Sequence, residues 1–146
     1  MIDRFQAFVS GITICYKYVQ KIKTMEMTEF GLKGTHVMCI FYIYHSEEKL
    51  TATQLCQLCA EDKAAISRTL MTLQEKGYVE CGEKKYRAHL TLTEEGKLLA
   101  ERIDTLIEEW VSHGGDGLTE EQRTSFYHTL NLISDNLREK LTKEQK

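Results

Sequence analysis

Not one of the 146 residues is proline. Nothing in the chain therefore interrupts long helices, because proline is the residue that removes a helical N–H and clashes with the preceding turn. The apolar spacing shows where such helices run. Ile2, Phe5, Val9, Ile12, Tyr16, Val19 and Ile22 recur at three- and four-residue steps, which predicts one apolar stripe on a helix ending near Lys23. Gly31 and Gly34 punctuate the linker after it. From Val37 to Tyr44 every residue is apolar or aromatic, so this helix is expected to sit centrally, covered on more than one side. The length suits one core and one compact unit.

The next stretch changes character. Thr51 followed by Gln54 forms a capping box, in which hydroxyl and amide each satisfy a backbone N–H at a helix start, and a short helix is expected to run to about Ala60. Asp62 can cap the next helix, whose Ile66, Leu70 and Leu73 share one face and whose left-handed terminator is Gly77. Tyr78 to Glu80 and Ala88 to Leu92 read as two short strands joined by a polar, lysine-rich connection starting at Gly82. Thr93 caps a helix carrying Leu98, Leu99, Ile103, Leu106, Ile107 and Trp110, which Gly114, Gly115 and Gly117 end. Thr119 and Gln122 open a last helix with Phe126, Leu130, Ile133, Leu137 and Leu141 on one side.

Two helices joined by a tight turn and followed by a hairpin is the order of a winged helix-turn-helix, whose second helix docks in the DNA major groove. With Ile66, Leu70 and Leu73 facing inward, the outward face of that helix centres on Ala64, Arg68 and Met71, flanked by Ala65, Ser67 and Thr72, with Lys63 at its start. Its first acid is Glu75. Small residues and hydroxyls allow close approach to base edges, Arg68 suits guanine, and the alanine methyls suit thymine. In the hairpin, Lys84, Lys85 and Arg87 cluster where they can meet phosphates or a narrow minor groove. Charge follows the same division. Between Lys63 and His89 six cations stand against three anions, an excess of +3 in a chain whose total is −3, so the rest carries −6. An acidic body with one basic segment suits a polyanionic partner touching that segment alone.

The run LTATQLCQLCAEDKAAISRTLMTLQEKGYVE, followed by RAHLTLTEEGK, resembles the MarR family of multiple-antibiotic-resistance-type regulators. The resemblance extends over the whole chain in element order and is most specific at DKAAISRTLMTLQEKGYVE, similar to the family's recognition helix and first wing strand, and at LTLTEEG, similar to its closing LTxxG. It implies a helical dimer with a small wing, in which the first and last helices interlock two subunits and ligands bind between those helices and the DNA-binding lobe. This sequence departs from the family at the wing: GEKKYRAHLTLT is about three residues shorter than usual. Arg87 stands in for the wing-tip arginine and Lys84 and Lys85 for its neighbours.

Other residue groups favour plainer readings. Cys56 and Cys59 make a CxxC, but no second pair follows at zinc-finger spacing, and the resemblance places both at core positions of the first helix of the motif. The five cysteines are an odd number in a chain unlike a disulfide scaffold and are expected to be reduced. His36 and Cys39 stand one turn apart and could chelate zinc with His113 or His128, as some family members do, but no carboxylate adjoins the pair and burial is the simpler role. Cys15 lies about one turn from the position where some family members sense organic peroxides, and is read as inert. Nucleophile elbow, HExxH, phosphate-cradling glycine loop and paired carboxylates are all missing from the sequence, which argues against an enzyme.

The expectation is a mainly α chain with a small two-stranded β-wing: a winged helix-turn-helix plus long terminal dimerisation helices. Residues 1–34 and 114–146 are assigned to dimerisation, 35–93 to the DNA-binding lobe and 94–113 to a connecting helix. The expected protein is a cytoplasmic, sequence-specific DNA-binding regulator, a repressor by preference, acting as a homodimer on a palindromic operator, without metal or cofactor. No signal peptide or membrane span is expected. A small apolar or aromatic effector is expected near Tyr16, His36, Ile40 and Tyr44. The competing classes are a helical protein-interaction module without DNA binding and a metal- or thiol-based sensor of the same family.

Overall fold

The computed structural model describes residues 2–82 and 88–144. Helix α1 (Ile2–Met27) leads through a 3₁₀ turn (Thr28–Phe30) to α2 (Gly34–His45), α3 (Ala52–Cys59) and α4 (Lys63–Glu75). Strands β1 (Val79–Cys81) and β2 (Leu90–Leu92) precede α5 (Glu94–Gly114) and α6 (Glu120–Glu144). This is the mainly helical architecture with a two-stranded wing that the residue pattern predicts. Among the described residues, no helix is long and apolar enough to cross a membrane.

Helix α1 runs one turn beyond the expected end at Lys23, because no glycine lies between Lys23 and Gly31, whose φ of 64° closes the 3₁₀ turn. Helix α2 occupies the expected centre, packing against α1, α3, α4 and β2. Its Val37, Cys39 and Ile40 are buried together with Leu55 of α3, Ile66, Leu70 and Leu73 of α4, Val79 and Leu90 of the strands, and Leu99 and Ile103 of α5. The four expected caps all form. Gln54 N–H donates to the Thr51 hydroxyl at 3.4 Å, Ala65 N–H to Asp62 Oδ1 at 2.7 Å, Gly96 N–H to the Thr93 hydroxyl at 3.0 Å, and Gln122 N–H to the Thr119 hydroxyl at 3.2 Å.

Strand β2 is shorter than the expected Ala88–Leu92, and β1 keeps its expected length but is displaced by one residue. They pair antiparallel with Val79 opposite Leu92 and Cys81 opposite Leu90. Beyond the pair, Leu90 N–H donates to the Leu50 carbonyl at 2.8 Å, so the segment before α3 extends the hydrogen-bonded edge. Helix α4 ends as Gly77 adopts φ 75° and Tyr78 N–H returns to the Leu73 carbonyl at 2.9 Å.

The chain divides into two compact units, the first ending at Leu106 and the second beginning at Ile107. The first holds the core. In the second, Arg123 Nη2 donates to the Gly115 carbonyl at 2.9 Å, tying α6 to the glycine turn that precedes it. No described residue of α6 is buried within one chain.

Candidate nucleic-acid interface

The turn between α3 and α4 is built by one unusual backbone conformation. Ala60 takes φ 53° and ψ 42°, the left-handed region that side chains other than glycine's enter at a cost, and Glu61 N–H then reaches the Cys56 carbonyl at 3.0 Å. Asp62 comes immediately after and caps α4, so the chain reverses within three residues. Helix α4 is fixed in rotation by Ile66, Thr69, Leu70 and Leu73, all buried, and it packs against α2, α3 and β1.

That rotation decides what solvent sees. Lys63, Ala64, Ser67, Arg68 and Met71 are exposed, Met71 to 54%, while Ala65 and Thr72 are half-buried. All seven predicted groove residues lie on α4, and the five exposed ones form its outer surface ahead of Glu75. The Thr72 hydroxyl donates to the Arg68 carbonyl at 3.2 Å, which holds it against its own helix. Lys84, Lys85 and Arg87, the predicted wing contacts, lie outside the described residues.

Below the wing, four residues form a compact joint. The Thr93 hydroxyl donates to the Gly77 carbonyl at 2.6 Å and accepts Gly96 N–H at 3.0 Å, while Thr93 N–H donates to the Tyr78 carbonyl at 3.1 Å. Gly96 is buried, and a Cβ there would collide with the Tyr78 carbonyl oxygen. The threonine and glycine of the LTLTEEG run therefore join the end of α4, the start of β1 and the start of α5.

The four predicted effector residues are placed unequally. His36, Ile40 and Tyr44 succeed one another along α2, with Ile40 fully buried, His36 8% exposed and Tyr44 half-buried. Tyr16, on α1, is 64% exposed, so one chain does not enclose all four. His36 has a structural task as well: Lys33 N–H donates to its Nδ1 at 2.8 Å at the start of α2. Burial pushes its pKa below that of an ordinary histidine. Cys39, one turn on, does not join it in a metal site; no three His, Cys, Asp or Glu among the described residues converge as one.

Residues 30–83 match the family model described as MarR family. Over this winged-helix segment the chain is similar to the MarR family. Solved MarR structures carry the same fold over nearly the whole chain. One from Methanosarcina mazei Go1 is 20% identical with a TM-score of 0.81, covering 92% of this chain and 91% of that one. A MarR/EmrR family regulator from Acinetobacter sp. ADP1 is 24% identical with a TM-score of 0.82, covering 95% and 99%. A Listeria monocytogenes protein of MarR type, solved in complex with 26mer DNA, is 18% identical with a TM-score of 0.83, covering 90% and 89%. None of the curated proteins matches the sequence. The MarR fold makes the α3–α4 pair the helix-turn-helix and β1–β2 the base of the wing.

Sequence reasoning missed one arrangement near this surface. In the linear sequence Cys59 pairs with Cys56 as a CxxC, yet its near neighbour in space is Cys39, the sulfurs standing 3.9 Å apart. Twenty residues separate the two, and no linear spacing carries the signal.

Proposed function

We propose that the chain is a sequence-specific DNA-binding transcriptional regulator rather than an enzyme. It acts as a homodimer that sets two copies of α4 in successive major grooves of a palindromic operator. The observation that carries this reading is the outer surface of α4: five exposed residues, two of them cationic and none acidic, on a helix capped and held by a buried opposite face. Small side chains around Arg68 let the helix approach base edges, where an arginine can pair with guanine. The DNA held by the Listeria structure of the same fold supports the choice of partner.

Dimer formation rests on the terminal helices. On α1, Phe5, Val9, Ile12 and Tyr16 are 69, 41, 43 and 64% exposed; on α6, Phe126, Leu137 and Leu141 are 56, 54 and 62% exposed. Apolar stripes of this extent mark an interface. In this reading residues 1–34 and 114–146 serve assembly, 35–93 bind DNA and 94–113 connect them. Repression relieved by a small apolar or aromatic effector near His36, Ile40, Tyr44 and Tyr16 completes it, such a ligand acting through different affinities for two spacings of the lobes.

Selection of bound sites from random duplexes tests the whole reading. A recovered palindrome with half-sites about one helical turn apart, roughly 34 Å, is expected. Recovery of no preferred sequence, together with binding that does not weaken as salt rises, would leave a helical protein-interaction module in its place.

A further inference from the structure

The Cys39–Cys59 contact joins two thiols of unlike surroundings. Cys39 is fully buried in the middle of α2, and Cys59 is the half-buried last residue of α3. Their sulfurs are 3.9 Å apart, close enough for one thiol to donate to the other sulfur. Cys39 keeps its proton: donating to Cys59 and being cut off from water both raise its pKa far above the ordinary range. Receiving that hydrogen bond lowers the pKa of Cys59, helped by the Lys23 ammonium and opposed by burial and by Glu61. The outcome is a partly accessible sulfur that ionises more readily than usual, with a protonated thiol beside it.

We propose that Cys59 and Cys39 form a hydroperoxide-responsive thiol pair that closes to a disulfide within one chain. In the first step the Cys59 thiolate attacks one peroxide oxygen. An S–O bond forms, the O–O bond breaks, and the released hydroxide takes up the proton that Cys59 had shed, leaving a sulfenic acid and water. In the second step the Cys39 sulfur attacks Cys59 Sγ. The S–S bond forms, the S–O bond breaks, and the departing oxygen leaves as water with the Cys39 proton. Two thiols lose two electrons, and one hydrogen peroxide becomes two waters.

Closure matters because Cys59 adjoins the turn of the helix-turn-helix. A disulfide needs sulfurs about 2.05 Å apart, so the end of α3 must draw toward α2. The next residue is Ala60 in its left-handed conformation, and two residues further Asp62 caps α4. The displacement is thereby delivered to the segment that orients α4. That the link lowers DNA affinity rests on the function proposed above; formation of the link does not.

The test uses the full chain with Cys15, Cys56 and Cys81 each changed to Ser, reduced and then exposed to hydrogen peroxide. Both remaining thiols should disappear together, the mass should fall by two hydrogens, and dithiothreitol should restore both. With Cys39→Ser added, Cys59 should stop at a sulfenic acid that dimedone traps. Peptide mapping of the oxidised natural chain should show the same 39–59 link, which covers the case in which the serine variants fold poorly. A persistent free Cys39, a 56–59 link or a link between two chains would overturn the proposal. On a duplex recovered by selection, the oxidised chain should bind about tenfold or more weakly, reversibly; unchanged affinity would overturn the regulatory half. Failure of the reduced chain to bind any duplex would instead sink the DNA-binding reading while leaving the thiol result intact.

Discussion

The Thr93 hydroxyl donates to the Gly77 carbonyl at 2.6 Å across the base of the wing. Because the same oxygen accepts Gly96 N–H, one side chain both ends the strand pair and caps α5. Thr93→Val keeps the shape and removes both bonds, leaving a carbonyl and an N–H without this partner. A loss of about 1–2 kcal/mol is expected, read as a lower urea midpoint with unchanged slope. An unchanged midpoint would contradict the role given to this hydroxyl.

Gly96 makes the sharper demand. Its missing side chain is the space that the Tyr78 carbonyl occupies, and that obstacle is backbone rather than a flexible side-chain end. Gly96→Ala should therefore cost about 1–3 kcal/mol, the range for overpacking a filled site. If the variant were as stable as the parent, the close passage of the Tyr78 backbone, just before β1, over α5 would be wrong.

Arg68 is the one long hydrogen-bond donor on the exposed N-terminal half of α4 beyond its first residue. Arg68→Ala should relax base preference and weaken binding by roughly 1–3 kcal/mol per half-site. Lys84→Ala should instead weaken all sequences alike and flatten the salt dependence. Competition assays between the selected duplex and a scrambled one separate these effects; an unaltered preference in Arg68→Ala removes α4 from base reading.

His36 predicts a pH dependence. Its pKa is lower in the folded protein than in the unfolded chain, so below about 6.5 the unfolded state binds the proton more readily and favours unfolding. The stability associated with neutral His36 is thus present above that pH and is lost as pH falls toward the folded value. His36→Gln supplies a neutral acceptor for Lys33 N–H, as Gln54 and Gln122 do for Thr51 and Thr119. Urea midpoints from pH 7.5 down to 5 should fall less steeply in this variant, and parallel curves would show that His36 contributes nothing to the slope.

The features legible in the residues alone are those that local rules decide. Thr51, Asp62 and Thr119 act on N–H groups three residues away, and the outward face of α4 follows from helical periodicity once Ile66, Leu70 and Leu73 are known to face inward. Strand limits are less legible, because three-residue strands last only as long as a partner lies opposite, and pairing of Val79 with Leu92 depends on how α4 ends. The α3–α4 turn carries no glycine; Ala60 enters the left-handed region because packing on both sides outweighs its local preference. The Cys39–Cys59 contact arises from the crossing of α2 and α3 and has no linear counterpart.

Helix α1 buries only Met27, its last residue, within one chain. A helix held at one end and rich in branched and aromatic residues has little order of its own, since helices in proteins draw most of their stability from packing of an apolar face. The amide hydrogens of its first turns should therefore exchange quickly when the chain is dilute and slowly when a second copy covers the Phe5–Val19 stripe. Order in α1 then becomes a reporter of occupancy: the segment folds as it is bound, and proteolytic nicking there measures how much of the protein is unassembled.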